Sequence, residues 1–338
     1  RKGFHALPFY PEFVRADDPE SGLAVDVRSP RFSLSYWATR NRFGALVETH
    51  SWQEYPRRVA ATRETIHAMV ELAARDGVKW LAAAHDADAR ARLLGGKPVA
   101  LSFKNTEAVK TVELRGYEYT REPSAVSGQP WIRYDSTRPV VWRLPLRYEV
   151  RPALTVTAPA TGYVAPAAHA AWMSEKLALH GIEFQHVVSP QPASAVQTFR
   201  ADRTTIAAET FEGRSLVTVD GAWRDERRDI GAAALFVPIA QPKSRLVMSL
   251  LEPQAPDSFV AWGYFSTAFE RKEHMENYVT EAVARQMLSQ DAALKAEFER
   301  RLREDAAFAA SPNARLEFFY RRHPSWDERY GLYPVYRK

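Results

Sequence analysis

Cysteine is absent from the 338 residues of the chain. This absence excludes a disulfide framework, a thiolate-bound metal and a thiol nucleophile. Long apolar runs are missing as well, because no stretch approaches the roughly 18 to 20 apolar residues that cross a bilayer. The most apolar run, at residues 230–238, has the length of a buried strand. We therefore expect no membrane span in this sequence.

An excess of one charge is also lacking, because 46 Lys and Arg residues are set against 41 Asp and Glu residues, a formal net charge of +5. Most basic residues stand beside an acid, as in the run Arg-Asp-Glu-Arg-Arg-Asp at residues 224–229. A protein that binds phosphate backbones usually gathers its basic residues on one face or in one tail. We therefore expect no nucleic-acid partner.

The hydrophobic pattern indicates a mixed α/β protein with three regions. Residues 1–96 combine a loop-like start with one strand pattern and two helical patterns. Residues 97–152 contain short, partly alternating runs separated by turn residues, which is typical of a β-rich layer. Residues 153–338 predict an α+β region with a helical end. We place the domain boundaries near residues 97 and 153.

Particular elements follow from periodicity and from residues that end helices. An apolar segment at residues 43–50 predicts a buried strand, and helical spacing over residues 58–75 predicts a helix that Asp76 and Gly77 end. In the third region the pattern predicts a small β-α-β unit. The predicted elements after residue 75 are helices at 82–94, 168–180, 272–290 and 291–308, the last two with Asp291 and Asp305 as caps or first-turn acids, and strands at 162–166 and 182–184.

Glu48 and His50 form the densest candidate site. Two residues apart on a strand, they share one face. A carboxylate and an imidazole at the C-terminal end of a buried strand lie where open α/β sheets place their ligand crevices. The alternative is structural: Glu48 pairs with Arg40 or Arg42 and caps the sheet. His50 either orients Glu48, contacts substrate or is a polar core residue.

Residues 33–77 resemble the last strand and last helix of the zinc carboxypeptidases of peptidase family M14, and they are most similar to a bacterial branch of that family. Residues 43–48 match the strand that carries the family's water-activating glutamate, which falls on Glu48, and residues 58–75 correspond to the closing helix. Later segments that resemble the same branch are Gly162-Tyr163-Val164 and residues 237–242, 250–253 and 318–322. The resemblance implies that residues 1–96 are the remnant of a carboxypeptidase-like α/β/α sheet.

The resemblance also implies a reaction, the hydrolysis of C-terminal peptide bonds with zinc as cofactor. Zinc would polarise the carbonyl and lower the pKa of its water. Glu48 would act as general base, taking the water proton and passing it to the leaving amine. Tyr36, Arg42, His50 and Tyr55 flank the strand, and we expect them to contact the peptide substrate.

The zinc ligands of the family have no counterpart in the sequence. The family holds zinc with a His-x-x-Glu pair and a distant His, all before the general base, whereas the only histidine before Glu48 is His5. Residues 180–183 match the pattern His-x-x-Glu, but they follow Glu48 in the sequence. In addition, Gly181 should end a helix between His180 and Glu183. We therefore predict no metal ligands in this chain. We interpret the chain as the C-terminal portion of a longer carboxypeptidase, with the missing N-terminal part of its own catalytic domain as a partner.

Two other functions stay open. The main alternative is a non-catalytic protein that binds a peptide or a partner and keeps a vestigial peptidase unit, which would explain the absent zinc ligands. The Trp and Tyr residues in 117–142 suggest a carbohydrate-binding face, although such density more often indicates the core of a β layer. The compartment, cytoplasm or periplasm, is open because we find no signal-peptide pattern.

Overall fold

The computed structural model describes residues 3–4, 7, 12–25, 28–51 and 53–338. Both helices and strands occur along this chain. The predicted mixed α/β class is confirmed, with several separate sheets. The helices are α1 Ser33–Thr39, α2 Tyr55–Ala91, α3 Ala167–Leu179, α4 Ser244–Leu251, α5 Asn277–Gln290, α6 Ala292–Glu304, α7 Ala306–Ala310 and α8 Pro312–Tyr320. The strands are β1 Glu12–Phe13, β2 Leu23–Ala24, β3 Pro98–Asn105, β4 Val109–Pro123, β5 Pro130–Arg147, β6 Val150–Thr157, β7 Gly162–Ala165, β8 Gln185–His186, β9 Gln191–Phe211, β10 Arg214–Ile230, β11 Leu235–Pro238 and β12 Tyr336–Arg337.

The largest sheet has six strands in the order β10-β9-β12-β7-β11-β8. Because β7 and β8 are both antiparallel to β11, they run parallel to each other, and α3 connects them. The predicted β-α-β unit is therefore present, and α3 lies within one residue of its predicted bounds. The predicted second strand at residues 182–184 is wrong, since the pairing residues are Gln185 and His186.

The main core lies between this sheet and the helices α3 and α4. Helix α4 is buried at almost every position, including the polar residues Ser244 and Ser249. Strand β3, which pairs with β6, also sends Val99 and Leu101 into this core. The largest fully buried side chains of the core include Tyr163, Met173, Leu177, Phe199, Leu235, Leu246, Phe265 and Tyr333.

The β-rich region is dominated by one long hairpin of β4 and β5. Short strands separated by turn residues were predicted here, but β4 is one strand of 15 residues that runs through Gly116. The ring of Trp142 lies over Gly116, and a Cβ atom at residue 116 would come within 2.5 Å of that ring. The ring of Trp142 also contacts Phe13, Tyr119 and Tyr134. These aromatics therefore pack on one another and on the segment that contains β1.

The C-terminal helices enclose a second, smaller core built from Phe298, Phe308, Phe318 and Phe319. The predicted cap residues are confirmed: the side chain of Asp291 accepts a hydrogen bond from the N–H of Leu294 at 2.9 Å, and that of Asp305 from the N–H of Phe308 at 2.9 Å. The two predicted helices become four, because Asp305 and Ser311 each begin a new helix. In the described part of the chain, no helix combines the length and the apolar character of a membrane span.

Candidate functional site

The segment that carries Glu48 has no strand pairing in the structure. The prediction of a buried strand at residues 43–50 is wrong for this fold: Phe43 is 67% exposed, Leu46 56% and Val47 37%. The physical reason is that an apolar run becomes a buried strand only when neighbouring strands satisfy its backbone and cover its side chains. Along residues 43–50, none of the described strands provides that pairing.

Helix α2 lies beside this segment and is a single helix of 37 residues. The helices predicted at 58–75 and 82–94 are parts of it, and the predicted end at Gly77 is wrong. Gly77 has helical backbone geometry with open space around it, and a glycine inside a helix costs only about 1 kcal/mol relative to alanine. The predicted stop at Gly95 and Gly96 agrees with the end of α2 at Ala91.

One apolar stripe runs along α2 and is covered at only one end. Val59, Ile66, Val70, Ala84 and Ala91 are spaced by multiples of seven or by four, so they share one helical face. Ala84 and Ala91 are 7% and 3% exposed, whereas Val59, Ile66 and Val70 are 48%, 52% and 63% exposed. The C-terminal end of α2 is held against α4, where the hydroxyl of Ser244 donates to the carbonyl of Ala91 at 2.9 Å. The rest of the stripe faces solvent.

The Glu48 segment follows α2 in the opposite direction. The ring of Phe43 lies 5.9 Å from that of Trp80, and Arg58 donates to the hydroxyl of Thr49 at 3.5 Å. Between the segment and the N-terminal part of α2 lies an open cleft of about 420 Å³. Its lining residues are Thr49, Tyr55, Arg58, Val59, Thr62, Arg63, Ile66 and His67.

The predicted site residues divide into two groups. Glu48 and His50 are exposed, and Tyr55 is 72% exposed at the first turn of α2, where it lines the cleft. Arg42 lies at the other end of the segment and forms a bidentate ion pair with Asp88, with both N–O distances 2.9 Å. Tyr36 lies in α1 and contacts His180. The contribution of all five predicted residues to substrate binding or catalysis stays a prediction.

The pair of Arg42 and Asp88 fixes the start of the Glu48 segment to α2. The hydrogen bond from Arg42 lowers the pKa of Asp88 and raises the pKa of Arg42. Arg40, the other cation considered as a partner of Glu48, donates to the phenol oxygen of Tyr36 at 3.1 Å. Both cations therefore have other partners, and the structural ion pair considered for Glu48 does not form with either of them.

The zinc expected from the resemblance does not fit the described residues. Within residues 3–4, 7, 12–25, 28–51 and 53–338, no three His, Asp or Glu side chains lie close enough together to hold a metal. His5 lies outside the described residues. His180 ends α3 and is bonded to Tyr36, while the N–H of Glu183 is held by Gln241. The ring of His180 and the backbone of Glu183 therefore each have a hydrogen-bond partner within the fold.

A buried polar network is the feature that the sequence did not predict. Glu252 follows α4, and its side chain is 2% exposed; it forms a bidentate ion pair with Arg337, at 2.9 and 2.5 Å. Tyr163 donates a short hydrogen bond to the same carboxylate, and Trp223 donates another at 3.3 Å. Burial, followed by the charge of Glu252, raises the pKa of Tyr163 well above its ordinary value. The network joins the residue after α4 to strands β7, β10 and β12 of the large sheet, and it is enclosed.

Comparisons with known proteins identify no family for this chain. The resemblance of residues 33–77 to carboxypeptidases therefore stays a prediction about function. No family model, curated protein or solved structure matches the chain.

Proposed function

We propose that this chain contributes the general base Glu48 to a zinc carboxypeptidase site, and that the zinc ligands come from a layer of protein that covers α2. The observation that carries the proposal is the uncovered apolar stripe beside the Glu48 segment. A helix with an apolar face is stable only when another layer buries that face. Here the same face is buried at Ala84 and Ala91 and bare at Val59, Ile66 and Val70.

The nature of the covering layer follows from what already lies on the helix. The Glu48 segment runs along α2 as a strand would run across a helix in an α/β layer, with Phe43 on Trp80 and Thr49 near Arg58. Its own apolar residues, Leu46 and Val47, are also exposed. Neighbouring strands on this segment would satisfy its backbone and cover the stripe at once. A sheet is therefore the layer that this surface fits.

The chemistry proposed for Glu48 is proton transfer. Its carboxylate takes a proton from the attacking water as the C–O bond forms, and it gives that proton to the leaving amine as the C–N bond breaks. The products are a shortened peptide carboxylate and a free amino acid. Tyr55 and Thr49 both line the cleft, and the pair of Arg42 and Asp88 fixes the start of the Glu48 segment.

The test is the variant Glu48→Gln in a protein that includes the covering layer. We expect it to lose the release of C-terminal residues and to keep its zinc, because a general base is not a metal ligand. The matched control is Glu54→Gln, a change of another exposed glutamate six residues away, which should leave turnover unchanged. Turnover retained by Glu48→Gln would contradict the proposal.

The second candidate is a protein that binds a partner without catalysis, and the same stripe supports it. On this alternative an apolar partner covers Val59, Ile66 and Val70, and Glu48 has no chemical role. The discriminating result is a complex that buries the stripe, binds no zinc and releases no C-terminal residue.

A further inference from the structure

A hydrogen-bond relay joins α1 to the end of α3. The phenol oxygen of Tyr36 lies 2.9 Å from Nδ1 of His180, and the two ring centroids are 5.6 Å apart. Arg40 donates to the same phenol oxygen at 3.1 Å. A guanidinium can only donate, so the oxygen of Tyr36 accepts from Arg40, and its hydroxyl proton is available to Nδ1 of His180 when that nitrogen carries no proton. In this arrangement Nδ1 of His180 is the acceptor and the ring proton is on Nε2.

The charges around His180 are mostly positive. Arg40, which directly follows α1, and Lys176, in the last turn of α3, both act on its ring. Lys243, in the loop before α4, donates to the carbonyl of Gly181, the residue after His180. Glu183 and Asp88 are the acids on this side, and both act on Lys243. Burial, then Arg40 and Lys176, lowers the pKa of the half-buried His180 imidazole. A proton on Nδ1 of His180 would make both neighbours of the Tyr36 oxygen donors, leave the phenol proton without this acceptor, and add a cation to a group of cations.

We propose that Tyr36 and His180 form a pH-sensitive latch that holds α1 against the six-stranded α/β region at neutral pH and loosens on acidification. The latch is independent of the role proposed for Glu48. Other contacts limit the movement: the side chain of Asn41 donates to the carbonyl of Pro242 at 2.9 Å, and the N–H of Arg31 donates to Asp257 at 2.7 Å. Acid therefore loosens α1 between two fixed ends rather than detaching it.

Hydrogen–deuterium exchange of α1 tests the latch. Protection of the α1 amides, corrected for the intrinsic exchange rate, is measured at about pH 7.5 and about pH 5, on either side of the histidine range. We expect it to fall roughly fivefold in the wild type, the effect of losing one ordinary hydrogen bond. His180→Gln, which keeps an acceptor without a titrating ring, should show no fall. The matched control is His169→Gln, a change of another half-buried histidine with a lowered pKa, and it should fall like the wild type.

Constant protection in the wild type, or an equal fall in His180→Gln, would overturn the latch. If His180→Gln does not fold, Tyr36→Phe replaces it, and its α1 protection should be low and independent of pH. A pH-dependent fall in Tyr36→Phe would contradict the proposal. Nitrogen NMR of the wild-type His180 ring gives a separate check: a proton on Nε2 at neutral pH is expected, and a proton on Nδ1 would overturn the relay.

Discussion

Glu252 and Arg337 are 85 residues apart in the sequence and form a bidentate ion pair whose two side chains are 2% and 7% exposed. Arg337 belongs to β12, which pairs with β7 and β9 in the middle of the large sheet. Its guanidinium also lies 4.1 Å from the centre of the Trp223 ring. The pair therefore holds the last strand of the chain to the residue that follows α4.

Breaking this pair on one side should destabilise the protein strongly. Arg337→Met leaves the carboxylate of Glu252 buried without a cation, which costs about 3–5 kcal/mol of unfolding free energy. The double variant with Glu252→Gln should lose less, because its buried group is neutral and still accepts from Tyr163 and Trp223. Urea unfolding gives the free energy of unfolding of the wild type, of Arg337→Met and of the double variant.

The control for this prediction is the exposed pair of Arg203 and Asp220, whose side chains are 77% and 53% exposed. Arg203→Met should change the unfolding free energy by less than about 1 kcal/mol, since solvent screens such pairs. Equal losses for Arg337→Met and Arg203→Met would show that the buried network does not hold the sheet together.

Two glycines should respond to alanine in opposite directions. Gly116→Ala places a Cβ atom 2.5 Å from the ring of Trp142, and overpacking of this kind costs roughly 1–3 kcal/mol. Gly77→Ala adds a methyl group in open space inside α2 and should increase helix stability by about 1 kcal/mol. Thermal unfolding followed by circular dichroism measures both. A destabilising Gly77→Ala would contradict the continuous helix through residue 77.

Two pH windows should separate the contacts that hold α1 and the segment after it. The pKa of His180 is lowered from about 6.5 by burial and then by Arg40, so the unfolded chain takes up the proton first and stability falls as pH drops below 6.5. The pKa of Asp88 is lowered from 3.8 by its hydrogen bond with Arg42, so that contribution is complete above 3.8 and is lost as pH falls further.

Variants assign each window to its contact. His180→Gln should remove the dependence of the unfolding free energy on pH below 6.5 that this ring causes, and Asp88→Asn should remove the part below 3.8. The second effect should be small, because the side chain of Arg42 is 43% exposed and solvent screens the pair. If the unfolding free energy of His180→Gln still fell with pH below 6.5 as in the wild type, the ring of His180 would not cause that dependence.

Local patterns were sufficient for elements whose partners lie nearby in sequence. The helix α3 and its end at Gly181 follow from spacing and from a glycine with φ of +63°. Asp291 and Asp305 are caps because they bond to an amide three residues ahead. Each of these features is determined within a few residues, which is the range that a sequence pattern covers.

Elements that depend on distant partners were not predictable in this way. Residues 43–50 have the composition of a buried strand, but a strand also needs neighbours, and the described residues offer it none. A glycine such as Gly116 is typical of the end of a strand, but here the ring of Trp142 on the opposite strand packs over it. Glu252 follows an apolar helix as a lone acid, and its partner lies in the next-to-last residue of the chain. Only the folded arrangement shows these relationships.

Zinc content and the release of C-terminal residues, measured together, test whether Glu48 acts in a zinc site that the covering layer completes. The two assays are run on the 338-residue chain and on a protein that also contains the layer proposed to cover Val59, Ile66 and Val70. We expect neither zinc nor release in the 338-residue chain, and both in the covered protein with Glu48 intact. About one zinc per chain and release by the 338 residues alone would contradict the proposal, because ligands would then come from residues of this chain.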